Sequence, residues 1–229
     1  MNLSKRLQTV LEFIDVKDKV ADIGADHGYL VIAMRELGVE FLQVVENKKG
    51  PLERAKQNLG DFDNVIFSLS DGISDLNLNI DTVTICGMGG LNIVEILNNN
   101  LDTAKRLKKI VMQPNSKTFE LRQFLNDNGF SIDDEEIVKD GDKYYEIVVS
   151  SYKGLQEKIS YHELLFGPIL LKKKSKIFVE YYQHVKNNIN FIIDSNDNIE
   201  FNELKNKLEL IEKYIGGWLC LQLKKYLNS

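Results

Sequence analysis

Apolar and polar residues along this chain recur with two different periods, and the places where the period changes divide it into elements. Leu3, Leu7, Val10, Leu11 and Ile14 fall on one helical face, with Ser4 placed to cap its start. Residues 20–23 are a short strand-like apolar run that meets Gly24. After Asp26, His27 and Gly28, helical spacing takes over through Leu30, Ala33, Met34 and Leu37, so the unit reads strand, glycine turn, helix. A second apolar run over residues 41–45 ends in Glu46, and Gly50 with Pro51 opens a helix carrying Leu52, Ala55 and Leu59. Residues 65–69 form a third strand, running into Ser70, Asp71 and Gly72. Residues 81–86, rich in β-branched side chains, are a buried fourth strand that breaks into Gly87, Met88, Gly89 and Gly90 before an apolar helix. A fifth strand over residues 109–112 delivers Gln113, Pro114 and Asn115. A helix around Arg122 ends at Gly129, and strands over residues 130–138 and 144–150, joined through Asp140 and Gly141, predict an antiparallel hairpin.

Beyond residue 152 the register changes. Gly167 and Pro168 make a joint, and residues 172–193 offer Ile177, Tyr181, Val185, Ile189 and Ile192 at intervals of four and three. Residues 194–198 are polar turn material, and Leu204, Leu208, Ile211 and Ile215 continue on a second helix. Trp218, Leu219 and Leu223 suggest docking against another surface. The expected domains are residues 1–154 and, as two antiparallel helices, residues 155–229. Five strands alternating with helices, followed by a hairpin, give a seven-stranded α/β sheet ordered as in class I methyltransferases, a Rossmann-like fold whose antiparallel last strand separates it from the plain dinucleotide-binding fold. That likeness is an analogy of topology and does not by itself give a reaction.

Composition adds little to this picture: 43% hydrophobic against 28% charged residues is ordinary for a globular protein of 229 residues. No apolar run reaches the length of a membrane span, and the opening MNLSKRLQTVLEFI alternates where a signal peptide would be continuously apolar, so a cytoplasmic location with no membrane association is expected. Cys86 and Cys220 lie far apart without a neighbouring ligand, which favours buried thiols over a metal site or a disulfide. The net charge of −5 argues against nucleic acid, but its distribution does not: residues 151–229 hold 12 Lys against 9 acidic residues, leaving 17 basic and 25 acidic residues in 1–150. Positive clusters stand at Lys5 and Arg6, at residues 105–109, and at Lys172, Lys173, Lys174 and Lys176. Each taken singly is equally a solvated helix face.

The candidate chemistry gathers at the strand ends. In a doubly wound sheet a ligand sits beyond the carboxyl end of the first strand, at the turn carried here by Gly24, and the acid that holds a ribose diol belongs where Glu46 stands. A solvated acid on an ordinary crossover is the competing reading. The glycines do not spell GxGxxG: Ala25, Asp26 and His27 crowd and charge the place of a pyrophosphate, which favours a nucleoside-type cofactor without phosphates. Asp71 is suited to an adenine's exocyclic amine or, with Gly72, to a plain turn. Gly87, Gly89 and Gly90 let backbone lie against a flat ligand. The acid or Asn followed by two prolines and an aromatic, usual in enzymes that methylate exocyclic amines, is missing there. Gln113 and Asn115, flanking Pro114, suit reading the Watson–Crick edge of a base, or form an ordinary polar loop. Lys5 and Arg6, near a helix start where the macrodipole is also positive, suit an anion or sit exposed in water.

With these residues together, the chain resembles the bacterial tRNA (adenine-22-N1) methyltransferases. The likeness runs through LSKRL, ADIGADHGYL, the Gly50–Pro51 pair, VTICGMGG, QPN and KYYEI to Gly167 and Pro168 ahead of a two-helix tail. The family pattern usually has Ala at Gly28 and Pro at Val31, small changes that leave the Asp, His and Tyr intact. The resemblance implies S-adenosyl-L-methionine as cofactor, tRNA as partner with no obligate protein partner evident, and a helical, coiled-coil-like second domain that helps to hold tRNA. Asp22, Gly24, Asp26, His27, Tyr29 and Leu30 would line the cofactor. Glu46 would bind its ribose, with Asn47 also on the cofactor; Asp71 and Gly72 would meet its adenine, and Gly87, Met88, Gly89 and Gly90 would run beneath its methionine part. Gln113, Pro114 and Asn115 would carry the catalytic edge, with Arg6 and Tyr145 as weaker candidates nearby, and Arg6, Lys172, Lys173 and Lys174 would contact tRNA. His27 is equally a satisfied loop histidine, and Tyr145 reads better as a core aromatic. Nitrogen 1 of neutral adenine has a free lone pair, so the expected mechanism needs alignment and a stabiliser for the cationic product, a role suited to Asn115, rather than an obligate general base. The adenine must be unpaired or swung out to react. A methyltransferase acting on protein or a small molecule, and a non-catalytic RNA- or protein-binding module on the same fold, are the competing functions.

Overall fold

The computed structural model describes residues 3–60, 64–154, 158–195 and 202–227, with residues 218–227 described by their backbone. In chain order the elements are α1 (Lys5–Leu11), β1 (Lys19–Ile23), α2 (Tyr29–Leu37), β2 (Phe41–Glu46), α3 (Lys49–Leu59), β3 (Val65–Leu69), β4 (Thr82–Met88), α4 (Gly90–Asn99), α5 (Leu101–Arg106), β5 (Lys109–Pro114), α6 (Thr118–Asp127), β6 (Phe130–Asp140), β7 (Lys143–Tyr152), α7 (Tyr161–Phe166), α8 (Pro168–Lys173), α9 (Lys176–Asp194) and α10 (Asn202–Leu227). The seven strands form one sheet in the order β3-β2-β1-β4-β5-β7-β6. β1 to β5 pair in parallel, and β7 runs antiparallel to both β5 and β6. This is the seven-stranded class I arrangement expected from the element order.

Side chains alternate across the strands, and this parity splits the core in two. Ala21, Ile23, Val45, Ile110 and Met112 face one layer with Ile93, Leu97, Leu121 and Leu125 from α4 and α6. Val20, Val44 and Val111 face the other, with Val10, Leu30, Met34, Leu52 and Leu59 from α1, α2 and α3. Helices therefore cover both faces, and the chain changes direction across the sheet between β1 and β4. That is the topological switch point, where α/β folds bind ligands.

The chain divides into two compact units, Met1–Ile169 and Leu170–Ser229. The division falls later than the 154/155 boundary expected from the sequence because the segment carrying α7 is tied to α6. The Ile159 N–H donates to Asn126 Oδ1 at 3.1 Å, and Arg122 Nη1 donates to the Leu164 carbonyl at 3.2 Å. Arg122 is fully buried, bonding Glu135 at 2.7 Å and Glu146 at 2.5 Å, and Glu135 also accepts from the Ile169 N–H at 2.9 Å. Gly167, at φ 88°, passes so close that a Cβ would come within 2.7 Å of Glu135 Oε2.

In the second unit the expected single helix from residue 172 is broken: Lys174 takes φ 43°, and Ser175 caps α9 by accepting from the Phe178 N–H at 3.3 Å. The buried residues of α9 are Phe178, Val179, Tyr182 and Ile189, instead of a stripe through Ile177, Tyr181, Val185 and Ile192. Successive steps of four drift by about 40° each on a helix of 3.6 residues per turn, whereas Phe178, Tyr182 and Ile189 stay on one narrow stripe. α10 buries Ile211 and Ile215 as expected, and Lys186 of α9 pairs with Glu212 of α10 at 2.9 Å. The rest of the expected polar turn, residues 196–198, and the side chains of Trp218, Leu219, Cys220 and Leu223 lie outside the described residues.

Candidate active site

Two hollows open at the carboxyl ends of the strands, and Gly24 borders both. Gly24 ends β1 at φ 72°, where an L side chain is strained, and a Cβ there would come within 3.1 Å of Met88 Cε. Its N–H donates to the Val45 carbonyl at 2.9 Å, so the saddle between the hollows is pinned to β2.

The first hollow, of about 460 Å³, is lined by Glu46 at the end of β2 and Asn47 just past it, by Asp71 and Gly72 after β3, and by Met88 at the end of β4. Gly72 takes φ 60°, and a Cβ on it would meet Ile96 Cγ2 at 2.8 Å. Sequence reasoning missed Asn92, Glu95 and Asn99 on α4, which complete the wall. Their spacing of three and four gives a polar stripe on an otherwise apolar helix, a signal available in the sequence. Ser70 and Ser74, joined by a hydrogen bond of 2.7 Å, also face this space.

The second hollow, of about 250 Å³, is lined by Asp22, Asp26, His27, Tyr29, Leu30 and Gly87, with Arg6 and Cys86. Gly28, at φ 71°, starts α2 directly behind this loop. The Asp26 N–H donates to Glu46 Oε1, linking the two hollows, while the Asp26 carboxylate meets Arg54 at 2.8 Å and His27 at 3.4 Å. The His27 ring stacks on Tyr29 with centroids 5.3 Å apart, and Asn58 Nδ2 donates to the His27 carbonyl. His27 is thus half-exposed in the hollow, not folded into the core.

The carboxylates here are poorly compensated. Burial raises the Asp22 pKa to about 6; the hydrogen bond from Thr84 Oγ1, 2.6 Å long, opposes the shift, and the nearby Glu46 adds to it. Burial likewise raises Glu46, against the lowering effect of the Asp26 N–H. An open site whose wall prefers to take up positive charge suits a cation-bearing nucleoside and repels a pyrophosphate. Burial, with Asp22 nearby, also pushes the Cys86 thiol up, so this half-buried cysteine stays protonated.

β4 extends past Cys86 through a bulge at Gly87 into Met88. Gly89 and Gly90 belong to neither hollow: a Cβ on Gly90 would come within 2.4 Å of the Lys117 carbonyl oxygen, and the Gly90 N–H donates to the Ser116 carbonyl at 2.8 Å. Their close approach is to the loop after β5. Of the residues expected at the catalytic edge, Gln113 and Pro114 are buried, and Asn115 is exposed at the rim. Gln113 lies beneath the rim with its amide engaged by protein, so it does not present an edge to a base in this structure. Arg6 is half-buried over the Tyr145 ring, 5.4 Å from its centroid, while Lys5 is exposed. Lys172 and Lys173 are exposed in the last turn of α8. Among the described residues no group of three or more His, Cys, Asp or Glu is placed to hold a metal, and no helix is long and apolar enough to cross a membrane.

Comparison with known proteins places this geometry. Residues 20–213 match the family model described as TrmK, tRNA (adenine(22)-N(1))-methyltransferase. The tRNA (adenine(22)-N(1))-methyltransferase of Bacillus subtilis is 28% identical, over 94% of this chain and 98% of that one. A Streptococcus pneumoniae structure, provisionally assigned as a tRNA (m1A22) methyltransferase and solved with S-adenosyl-L-methionine, is 30% identical with a TM-score of 0.85, covering 93% of this chain and 100% of that one. TrmK of M. capricolum, solved with S-adenosyl-homocysteine, is 27% identical with a TM-score of 0.81, covering 93% of this chain and 98% of that one.

Proposed function

The chain belongs to the tRNA (adenine(22)-N(1))-methyltransferase family, and from that premise we infer how its rim performs the reaction. It is an S-adenosylmethionine-dependent enzyme that methylates nitrogen 1 of adenine 22 in tRNA. The observation that carries the assignment of roles is the pair of hollows meeting at Gly24, with the exposed Asn115 bonded to the carbonyl of Gly87, which lines the second. The first hollow takes the nucleoside: Glu46 and Asn47 are placed for its ribose, and Asp71 with Gly72 for its base. The second takes the amino-acid end, with Asp22, Asp26 and His27 around it.

The cofactor supplies a methyl group made electrophilic by its sulfonium. The chain's own residues supply the rest. Gly24 holds the backbone low enough for close approach, and the carboxylates favour the positive charge of the donor over its neutral product. Adenine nitrogen 1 attacks with its own lone pair, so no side chain has to remove a proton first. Asn115 stabilises the cationic base through its amide oxygen as charge develops. Because nitrogen 1 lies on the pairing edge, the adenine enters unpaired, and the cost of unstacking is offset by contacts in the site.

The second unit, with Lys172, Lys173 and Lys174 before α9, helps to hold the tRNA, and the enzyme works in the cytoplasm beside its substrate. The supporting feature is the positive balance of residues 151–229. Reversing these three lysines is expected to weaken tRNA binding about tenfold and flatten its salt dependence while sparing cofactor affinity; an unchanged salt slope removes this unit from the RNA site. The reaction itself is tested by incubating the protein with tRNA and labelled cofactor and mapping reverse-transcription stops. A stop at adenine 22 is expected, and label without that stop contradicts the assignment.

A further inference from the structure

The amides of Gln113 and Asn115 have fixed orientations, and three backbone groups fix them. The Gly87 N–H can only donate, and it meets the side-chain carbonyl of Gln113 at 3.1 Å. The Pro114 carbonyl can only accept, and it takes Gln113 Nε2 at 3.0 Å. The Gly87 carbonyl takes Asn115 Nδ2 at 2.7 Å, which leaves Asn115 Oδ1 to accept from Gln113 Nε2 at 3.1 Å. Flipping either amide sets oxygen against oxygen or N–H against N–H.

One charged group feeds this chain of donors. Arg6 Nη1 donates to Gln113 Oε1, and its guanidinium lies over the Tyr145 ring. The Arg6 N–H donates to Asp140 Oδ2 at 3.3 Å, so α1 is held to β6 at this point. Among the described residues no carboxylate pairs with the guanidinium, and its charge is directed at the Gln113 carbonyl. Gly87 is required for the approach: it takes φ 78°, and a Cβ would stand 3.3 Å from Arg6 Nη1. Linked amides polarise one another in the direction of donation, and a fully satisfied network holds one arrangement.

We propose that Arg6 is a positioning residue for methyl transfer, acting through the buried Gln113 to hold the Asn115 amide in one orientation at the rim. The proposal rests on the methyltransferase reading and extends it to a residue of the lead-in helix. Held this way, Asn115 keeps one lone pair on Oδ1 for the adenine amine and one N–H for nitrogen 7, which leaves the lone pair of nitrogen 1 free to attack. Without Arg6 the Gln113 carbonyl keeps only the Gly87 N–H as donor, and Gln113, and through it the rim amide, is held less firmly.

A double-mutant cycle on the full chain separates this role from its rivals. In single-turnover methylation Asn115→Ala is expected to slow the reaction about a hundredfold, and Arg6→Met about tenfold. Because both act through one group, the double variant should be no slower than Asn115→Ala alone. Cofactor affinity, and the salt slope of tRNA binding, should stay at wild-type values in Arg6→Met. Multiplying effects would overturn the proposal. A loss of cofactor affinity would make Arg6 an anchor for the cofactor's carboxylate, and a flattened salt slope would make it a phosphate contact; either result also overturns it. The orientation itself is read from the Asn115 side-chain NH₂ signal in nitrogen-15-labelled protein, identified by its loss in Asn115→Ala. That signal should shift or broaden in Arg6→Met with the surrounding backbone signals retained, and an unchanged signal contradicts the proposal. An unmethylated adenine 22 with wild-type protein refutes the functional reading instead, and the NH₂ signal still decides the orientation.

Discussion

The two ends of the parallel strands hold carboxylates in opposite circumstances. At the amino end Asp18 is buried, but Lys108 at 2.9 Å and Lys109 at 2.5 Å surround it, and the Asp15 N–H donates to it at 2.9 Å. Burial raises its pKa, the lysine hydrogen bonds more than offset this, and the net shift is downward. At the carboxyl end Asp22, three residues along from β1's first, is as deeply buried with one hydroxyl for a partner, and its pKa rises to about 6. The first cluster is electrostatically complete and serves the fold. The second is left incomplete in a hollow, at a cost in stability, and it is there that the proposed function would set the donor's cation.

Changes at the carboxyl end should therefore remove chemistry without stability, and changes at the amino end the reverse. The largest expected effect is that of Asn115→Ala, about a hundredfold in single-turnover rate at unchanged urea midpoint and cofactor affinity. A variant with weak cofactor binding and normal turnover would break the comparison. Asp18→Ala should cost about 2–3 kcal/mol of folding free energy, measured by urea denaturation, because it strands Lys109 partly buried. Its cofactor affinity should be that of the wild type.

Asp22→Asn sharpens the contrast through pH. The folded-state pKa of Asp22 lies above its ordinary 3.8, so its contribution to stability is fully present below that value and is lost as pH rises through about 6. The variant should lack this loss between pH 4 and 6 in denaturation midpoints, and should bind S-adenosylmethionine more weakly. In the wild type cofactor affinity should climb over the same interval as the carboxylate ionises, and a flat profile would show that Asp22 does not face the cation. The smallest effect is expected of Arg54→Ala. Its pair with Asp26 is about half-exposed on both sides, so it should change stability by less than about 1 kcal/mol and cofactor affinity by about twofold.

Much of this was legible in the sequence because periodicity and glycine chemistry are local. β3 spans the residues that its apolar run predicts, Gly24 and Gly72 adopt the positive φ that their turns imply, and Ser4 caps α1 by accepting from the Leu7 N–H. The hidden parts depend on distant partners or weak patterns. α5 is six residues long with one buried side chain, too short for a period to show. The break before α9 falls inside a lysine run that reads as continuous helix, and Ser175 was the available signal. Arg122 meets Glu135 and Glu146 from other elements, which no local pattern encodes. At the site, Gln113 and Asn115 read as equivalent amides. The structure distinguishes them by depth, because β5 carries Gln113 down into the sheet while Pro114 turns Asn115 outward.

The central claim is that the rim seats a sulfonium donor across Gly24 with its reactive side toward Asn115. A crystal structure of this chain with S-adenosylhomocysteine tests it most directly. The account predicts the nucleoside along Glu46 and Asp71, the amino-acid end beside Asp26 and His27, and the sulfur facing the Asn115 amide. A ligand bound away from these hollows, or with its sulfur turned from Asn115, would contradict it.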